Sequence, residues 1–225
     1  TPRNPDIPGA EEHRSSGRVL GYADVLLGRH DCGPRVAVIG AGGIGFDVAE
    51  FLVAGAHSTA TDLPAWMAEW GVGDPAATRG GLRPQQVSPP AREVHLLQRK
   101  ATPLGKGLGK TTGWIHRSAL KMKRVEMIGG VNYERIDARG LHVSFGESRE
   151  KPTLLEVDTI VLCSGQEPRR ELADPLRAKG QHVHLIGGAD AREGQVELGA
   201  VQAVGRGDVE ALRRLVDLGA ELPQC

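Results

Sequence analysis

The sequence is poor in cysteine and in aromatic residues, and its charges balance. Its three cysteines are scattered and include no Cys-x-x-Cys pair, which excludes a disulfide framework and the usual spacing of zinc or iron–sulfur ligands. We therefore predict no metal site in this chain. Lys plus Arg and Asp plus Glu number 28 each, so bulk charge favours neither nucleic acid nor an anionic membrane as a partner.

Long apolar runs are also missing. No window approaches the roughly 18 continuous apolar residues that a membrane-spanning helix needs. Residues 1–18 are polar and proline-rich, without the apolar core of a signal peptide. We therefore expect a cytoplasmic protein with no membrane partner. A length of 225 residues allows one large domain or two small ones with real cores.

What the sequence does contain is an alternation of short apolar runs with helix-like segments. Apolar runs bounded by turn formers predict buried strands at 35–39, 93–98, 156–165 and 182–188. Apolar residues at helical spacing predict helices from about 44, from about 112 and at 210–219. This alternation favours a parallel sheet with right-handed crossovers. The predicted fold class is α/β, with a Rossmann-type parallel sheet.

The remaining segments are secondary features of that fold. Residues 55–91 interrupt the alternation and are predicted to be an insertion. Within it, "AWMAEWG" predicts a short helix whose Trp66 and Trp70, four residues apart, pack the insertion against the sheet. Residues 125–146 predict strands with a hairpin, and residues 169–180 a short helix or turn.

The stretch "RVAVIGAGGIGFDVAEFL" predicts a dinucleotide-binding turn. Gly40, Gly42 and Gly45 fit G-x-G-x-x-G between a predicted strand and a predicted helix, and Gly43 adds a fourth glycine. The first glycine permits the tight turn, the second lets the backbone approach a pyrophosphate, and the third lets helix and strand pack closely. The helix N-terminus then faces the diphosphate. The alternative is a glycine-rich turn without a ligand.

The end of the next strand indicates which dinucleotide is bound. An NAD site usually places Asp or Glu there to bond the ribose 2′-hydroxyl, but "EVHLLQRK" ends in Gln98, Arg99 and Lys100. Two cations without a carboxylate suit a 2′-phosphate, which favours NADPH. Asp62 is nearer in sequence, but "STATDLP" is not a strand end. The alternative is that the cations are simply solvated.

The stretch "GKGLGKTTGW" is not a P-loop, because Leu104 stands where that motif requires its first glycine. Lys106, Lys110 and Arg117 could bind phosphates or a neighbouring domain, or form a solvated basic loop. Cys163, at the end of a predicted strand, is expected to be a small buried thiol rather than a nucleophile.

Several phrases together resemble a known family. "LLQRK" followed by "GKGLGKTTGWIHR", with "EWG" and "RGGL" upstream, is similar to the NADPH-dependent 2,4-dienoyl-CoA reductase family of fatty acid β-oxidation, which is related to old yellow enzyme. The similarity runs from "TPRNPDIPG" to "VHLIGGADA", which is most of the chain.

The resemblance implies a longer, three-part flavoprotein. A barrel would carry FMN, the substrate site and a catalytic acid beside an iron–sulfur cluster, and an FAD domain would contain an inserted NADPH domain. In this chain, 1–29 would be a partial FAD-domain segment and linker, 30–164 the NADPH domain, and 165–225 the return into the FAD domain with a C-terminal helix.

On that likeness the chain binds nucleotides but holds no catalytic residue and is not active alone. The cofactor-binding set predicted from the glycine loop, the strand ends and the likeness is Gly40, Gly42, Gly43, Gly45, Gln98, Arg99, Lys100, Lys110, Gly165 and Asp190. Asp190 would bond the ribityl chain of FAD, although the first glycine motif of an FAD domain is not in the sequence. The expected partners are NADPH and the flavin and barrel domains of the full enzyme. The alternatives are a sibling flavoenzyme, of the enoate reductase or amine dehydrogenase type, and a non-catalytic nucleotide-binding fragment or gene remnant.

Overall fold

The computed structural model describes residues 3–55 and 58–190. These residues fall into two units, of which the first ends at Gly165 and the second begins at Gln166. The glycine loop and the end of the following strand both belong to the first unit. Among the described residues, no helix combines the length and the apolar character that a bilayer-spanning segment requires.

A five-stranded parallel sheet forms the centre of the first unit. Its strands are β1 (Val19–Gly21), β2 (Arg35–Ile39), β3 (Glu93–Leu97), β4 (Glu126–Ile128) and β8 (Thr159–Leu162). They lie in the order β1-β8-β2-β3-β4, and every neighbouring pair is parallel. The predicted α/β fold with a Rossmann-type parallel sheet is confirmed.

The position of β2 inside the sheet explains its apolar run at 36–39. Val36 and Val38 face one side of the sheet and Ala37 and Ile39 face the other, and none of the four is more than 1% exposed. A parallel strand covered on both faces needs such a continuous apolar run.

Helices cover one face of the sheet. They are α1 (Tyr22–Leu26), α2 (Gly43–Val53) and α4 (Gly113–Met122), while α3 (Leu63–Trp70) lies in the insertion. Phe46 and Leu52 of α2 and Leu120 of α4 are buried in the core on this side. The predicted helices from about 44 and from about 112 are therefore confirmed.

The other face is covered by a three-stranded antiparallel sheet. Its strands are β5 (Val131–Asp137), β6 (Gly140–Phe145) and β7 (Glu150–Leu155), in that order. Val131, Leu141 and Val143 from this sheet join Ile7 and Ala10 of the N-terminal segment in the second core. The meander therefore replaces a helix in the crossover from β4 to β8, and it confirms the hairpin predicted at 125–146.

The two tryptophans of α3 do not pack the insertion against the sheet, so that prediction is wrong. The rings of Trp66 and Trp70 lie 6.2 Å apart and contact each other. Trp66 stays 41% exposed, and no residue of α3 is fully buried. Spacing by four residues put the rings on one helix face but did not specify what that face contacts.

A polar cluster joins the insertion to the end of α4. The Lys123 ammonium lies 2.7 Å from Glu69 Oε1 and also donates to the hydroxyl and carbonyl oxygens of Ser88. Thr59 donates to the other carboxylate oxygen of Glu69. The Lys123 and Glu69 side chains are only 14% and 13% exposed, so the pair is shielded from water and fully hydrogen-bonded.

The described part of the second unit contains α5 (Ala173–Ala178), which confirms a short helix within 169–180. The strand predicted at 182–188 is wrong, because 181–186 adopt no regular structure and 187–189 form a 3₁₀ turn. The alternating pattern suits a strand, but no neighbouring strand in the described residues pairs with it. The helix predicted at 210–219 lies outside the described residues.

Replacing Glu69 with Gln should lower the free energy of unfolding by about 1–3 kcal/mol, since it leaves a shielded ammonium without its counter-charge. Urea denaturation of the whole chain measures this change. Glu11→Gln is the control, because Glu11 pairs with Arg14 while 88% exposed, and should cost less than about 0.5 kcal/mol. Equal effects for the two variants would show that the cluster does not hold the insertion.

Candidate nucleotide-binding site

The glycine loop lies at the carboxyl edge of the sheet, between β2 and α2. The strand neighbouring β2 on one side is β3, and on the other side it is β8. This is the point where the strand order reverses direction, and open α/β sheets bind ligands in the crevice that such a reversal creates. The fold therefore places the glycine motif at the expected ligand position.

The three glycines of the motif differ in what a side chain at each position would contact. Gly40 has φ +113°, and a Cβ there would overlap the carbonyl oxygen of Cys163, the residue that follows β8. A Cβ on Gly45 would overlap the carbonyl oxygen of Gly40. A Cβ on Gly42 would meet no protein atom within 4 Å. Packing within the protein thus requires the first and third glycines, whereas Gly42 borders open space that a ligand can enter.

The N-terminus of α2 fits a phosphate group. Gly42 is the residue before the helix, and no side chain caps the helix there. The first turn, which starts at the buried Gly43, contains no acidic residue. Its amide groups and the positive end of the helix dipole can therefore meet a pyrophosphate.

The end of β3 lies directly beside this loop. The Gly40 amide donates to the carbonyl oxygen of Leu97 over 2.9 Å, and Gln98 follows. Arg99 and Lys100 are both exposed. Asp62 is the N-cap of α3, where its Oδ1 accepts from the Ala65 amide. The prediction that Asp62 is not at a strand end is therefore confirmed.

Backbone hydrogen bonds join this strand end to the start of β5, a feature that the sequence does not predict. Gly130 and Val131, at the start of β5, donate backbone hydrogen bonds to the carbonyl oxygens of Lys100 and Gln98, both over 3.1 Å. Burial raises the pKa of the Tyr133 hydroxyl well above its usual range, and the positive charge of nearby Arg99 opposes the shift. The only sequence signal was the "GGV" that follows β4.

The basic loop after β3 is anchored beside the glycine-loop helix. Gly105 has φ +72° and lies against the ring of Phe46, so closely that a Cβ would clash. Arg117 donates to the Gly105 carbonyl oxygen over 3.1 Å. Lys106, Lys110 and Arg117 contribute to the lining of a cavity of about 380 Å³.

The end of β8 forms the other border of the loop. Gly165 has φ +98°, and its carbonyl oxygen accepts from the Arg3 amide over 2.9 Å. Cys163 donates its amide to the carbonyl oxygen of Ile39 over 2.8 Å. The residue is 4% exposed, and burial raises the pKa of its thiol well above the usual range. The expectation of a buried, structural thiol is confirmed.

Most of the predicted binding residues lie at one edge of the first unit: the glycine loop, the segment 98–100, the basic loop with Lys110, and Gly165. Asp190 belongs to the second unit, where its amide donates to Gly187. Its predicted contact with a flavin stays a prediction.

Comparison with protein families adds the identity of this fold. Residues 1–205 match the family described as pyridine nucleotide-disulphide oxidoreductase. The chain belongs to this family. Pyridine nucleotide and flavin binding and an oxidoreductase role are thereby supported, in agreement with the geometry of the glycine loop.

Individual relatives are distant and much longer. A metal reductase of Desulforamulus reducens is 24% identical over 188 residues, which is 84% of this chain and 26% of that protein. A 2-naphthoyl-CoA reductase is 20% identical with a TM-score of 0.58. The matched region covers 85% of this chain and 23% of the reductase chain. An amine oxidase, HisD of Pseudomonas geniculata N1, has the same identity and TM-score, with 89% and 25% covered. The chain thus spans about a quarter of the length of these relatives, and the structural likeness shows a shared fold.

Cys163 should react with a thiol reagent only when the chain unfolds, because the thiolate is the reactive species and burial suppresses it. Cys32 is only half-buried and should react faster at about pH 8. The labelling rate of each thiol is measured in a Cys225→Ser background, with Cys163→Ser as the control that identifies the slow thiol. Fast labelling of Cys163 under native conditions would contradict its structural assignment.

Proposed function

We propose that this chain is the NADPH-binding, hydride-delivering part of a flavin oxidoreductase similar to 2,4-dienoyl-CoA reductase. The observation that carries the proposal is the pairing of an open glycine loop with a neighbouring strand end that holds two cations. Arg99 and Lys100 follow Gln98 there, and an acid that would select NADH is missing from these three positions.

Different residues of the crevice bind different groups of the nucleotide. Amide groups at Gly42 and Gly43 receive the pyrophosphate, while Arg99 and Lys100 neutralise the 2′-phosphate. Lys110, in the adjacent basic loop, adds positive charge on the same side. When bound, NADPH supplies a hydride. FAD would accept this hydride, and Gly165 and Asp190 are each proposed as flavin-binding residues of their own unit.

The proposed setting is a longer enzyme. We propose the division into residues 1–29, 30–164 and 165–225 as FAD-domain segment, NADPH domain and FAD-domain return. A barrel outside this chain would carry FMN, an iron–sulfur cluster and the catalytic acid. We propose that the enzyme is cytoplasmic. The motif likeness supports a dienoyl-CoA as the final substrate, and the fold similarity to 2-naphthoyl-CoA reductase agrees with a thioester substrate.

A second candidate is an amine-oxidising enzyme of the same architecture. HisD has the same TM-score as the naphthoyl-CoA reductase, 0.58, and a histamine dehydrogenase of Rhizobium reaches 0.51 with 14% identity. Turnover after mixing the chain with a barrel-containing partner separates the two candidates. NADPH consumption with a dienoyl-CoA supports the first, and amine oxidation without NADPH consumption supports the second.

Arg99→Ala should weaken NADPH binding by roughly 10- to 100-fold and NADH binding by less than about twofold, because only NADPH carries the 2′-phosphate that loses a charge-assisted bond. Calorimetric titration of the whole chain with each nucleotide measures both affinities. Arg79→Ala, at an exposed arginine of the insertion, is the matched control. Equal losses of affinity for both nucleotides would show that Arg99 does not bind the 2′-phosphate.

Gly42→Val should leave the fold intact and abolish the binding of both nucleotides. The new side chain meets no protein atom at its Cβ, but it fills the space beside the helix N-terminus that the pyrophosphate needs. Calorimetry and thermal unfolding are measured together. Gly55→Val is the control at the other end of α2, where a Cβ also meets nothing within 4 Å. A folded Gly42→Val chain that still binds NADPH would show that the nucleotide lies elsewhere.

A further inference from the structure

We infer that Gln98 sets the preference for NADPH without touching the nucleotide, as a positioning residue that holds Arg99 and Lys100 in place. This inference rests on the proposed function and concerns the same crevice. It assigns Gln98 a different role from that of a binding residue, the role that its place in the sequence suggests.

The side chain of Gln98 is directed into its own loop. Its Nε2 donates to the carbonyl oxygen of Lys100 over 2.9 Å and also to the carbonyl oxygen of Thr102. An amide nitrogen has two hydrogens to donate, and both are used by these two main-chain acceptors. Gln98 therefore has no donor left for a phosphate, and its Oε1, which only accepts hydrogen bonds, would be repelled by the anionic phosphate oxygens.

The backbone around Gln98 is also fixed by hydrogen bonds, like its side chain. Its amide donates to the carbonyl oxygen of Ile128 over 3.0 Å, and its own carbonyl oxygen accepts from Val131. The Lys100 carbonyl oxygen accepts from Gly130 as well as from the Gln98 side chain. The backbone of segment 98–102 is thus bonded to β4 and β5 at one end and closed by the Gln98 amide at the other.

This closure affects the two cations that follow Gln98. Arg99 and Lys100 are exposed, and long exposed side chains lose conformational freedom when they bind a phosphate. A fixed backbone removes part of that cost, because the stems of both side chains start from one geometry.

Glutamate, the nearest acidic analogue, cannot take this role. A carboxylate only accepts hydrogen bonds, so at position 98 it would face two carbonyl oxygens with no donor between them. It would also place a negative charge next to the 2′-phosphate. The position where NAD-binding folds commonly carry an acid is therefore occupied here by a residue that needs its donor nitrogen.

The test uses Gln98→Met, which keeps the length of the side chain but removes its donor and adds no charge. We expect NADPH affinity to fall by about tenfold, the size of the ordering cost of one or two long side chains, with NADH affinity within about twofold of the parent chain. In an Arg99→Ala/Lys100→Ala background, where neither cation is left to be positioned, the same substitution should change NADPH affinity by less than about twofold. Gln85→Met is the matched control, since Gln85 makes only a long contact with the Met122 sulfur.

A second readout needs no nucleotide. Gly130 donates to the carbonyl oxygen that Gln98 also holds, so hydrogen exchange at the Gly130 amide should be faster in Gln98→Met and unchanged in Gln85→Met. Equal losses of NADPH and NADH affinity, or unchanged selectivity with unchanged Gly130 exchange, would overturn the inference while leaving the proposed function standing. A parent chain that does not prefer NADPH would overturn the proposed function and this inference with it.

Discussion

The site depends on the close contact between the end of β2 and the first turn of α2. A side chain at Gly45 would occupy the position of the Gly40 carbonyl oxygen, so the helix can start where it does only because that atom is absent. The same contact determines the direction of the helix N-terminus and the depth of the crevice beside Gly42. Loss of it would displace Phe46, a residue of the helix-side core, and with it the basic loop.

Parallel strands make the rest of the site a consequence of that contact. Because all five strands run in one direction, the turns that follow β2, β3 and β8 meet at one edge. Gly40 bonds to Leu97 on one side, and Ile39 bonds to Cys163 on the other. Residues far apart in the chain thereby become neighbours through backbone hydrogen bonds between the strands, and a change of strand order would separate them.

Local patterns in the sequence were sufficient to predict the elements with their own signature. The strand β2, the strand–turn–helix context of the glycine motif and the helix α4 each depend on residues within one segment, and these elements are confirmed. The predicted packing of Trp66 and Trp70 against the sheet and the predicted strand at 182–188 are wrong, because each depends on a partner elsewhere in the chain. The bonds from Gly130 and Val131 to segment 98–100 could not be predicted for the same reason, since a backbone acceptor has no residue-specific signal.

Under the proposed function, selectivity for a nucleotide at this crevice would follow from how a charged pair is held as much as from its charge. Exposed cations are common on protein surfaces and individually contribute little, because solvent screens them and their side chains are free to move. Segment 98–102 differs in that two backbone carbonyls and one side-chain amide close it before any ligand arrives. The cost of ordering Arg99 and Lys100 is thereby partly met during folding, so more of their attraction for a phosphate is available for binding. On this proposal, a substitution that alters no charge at all is expected to change which nucleotide the crevice prefers.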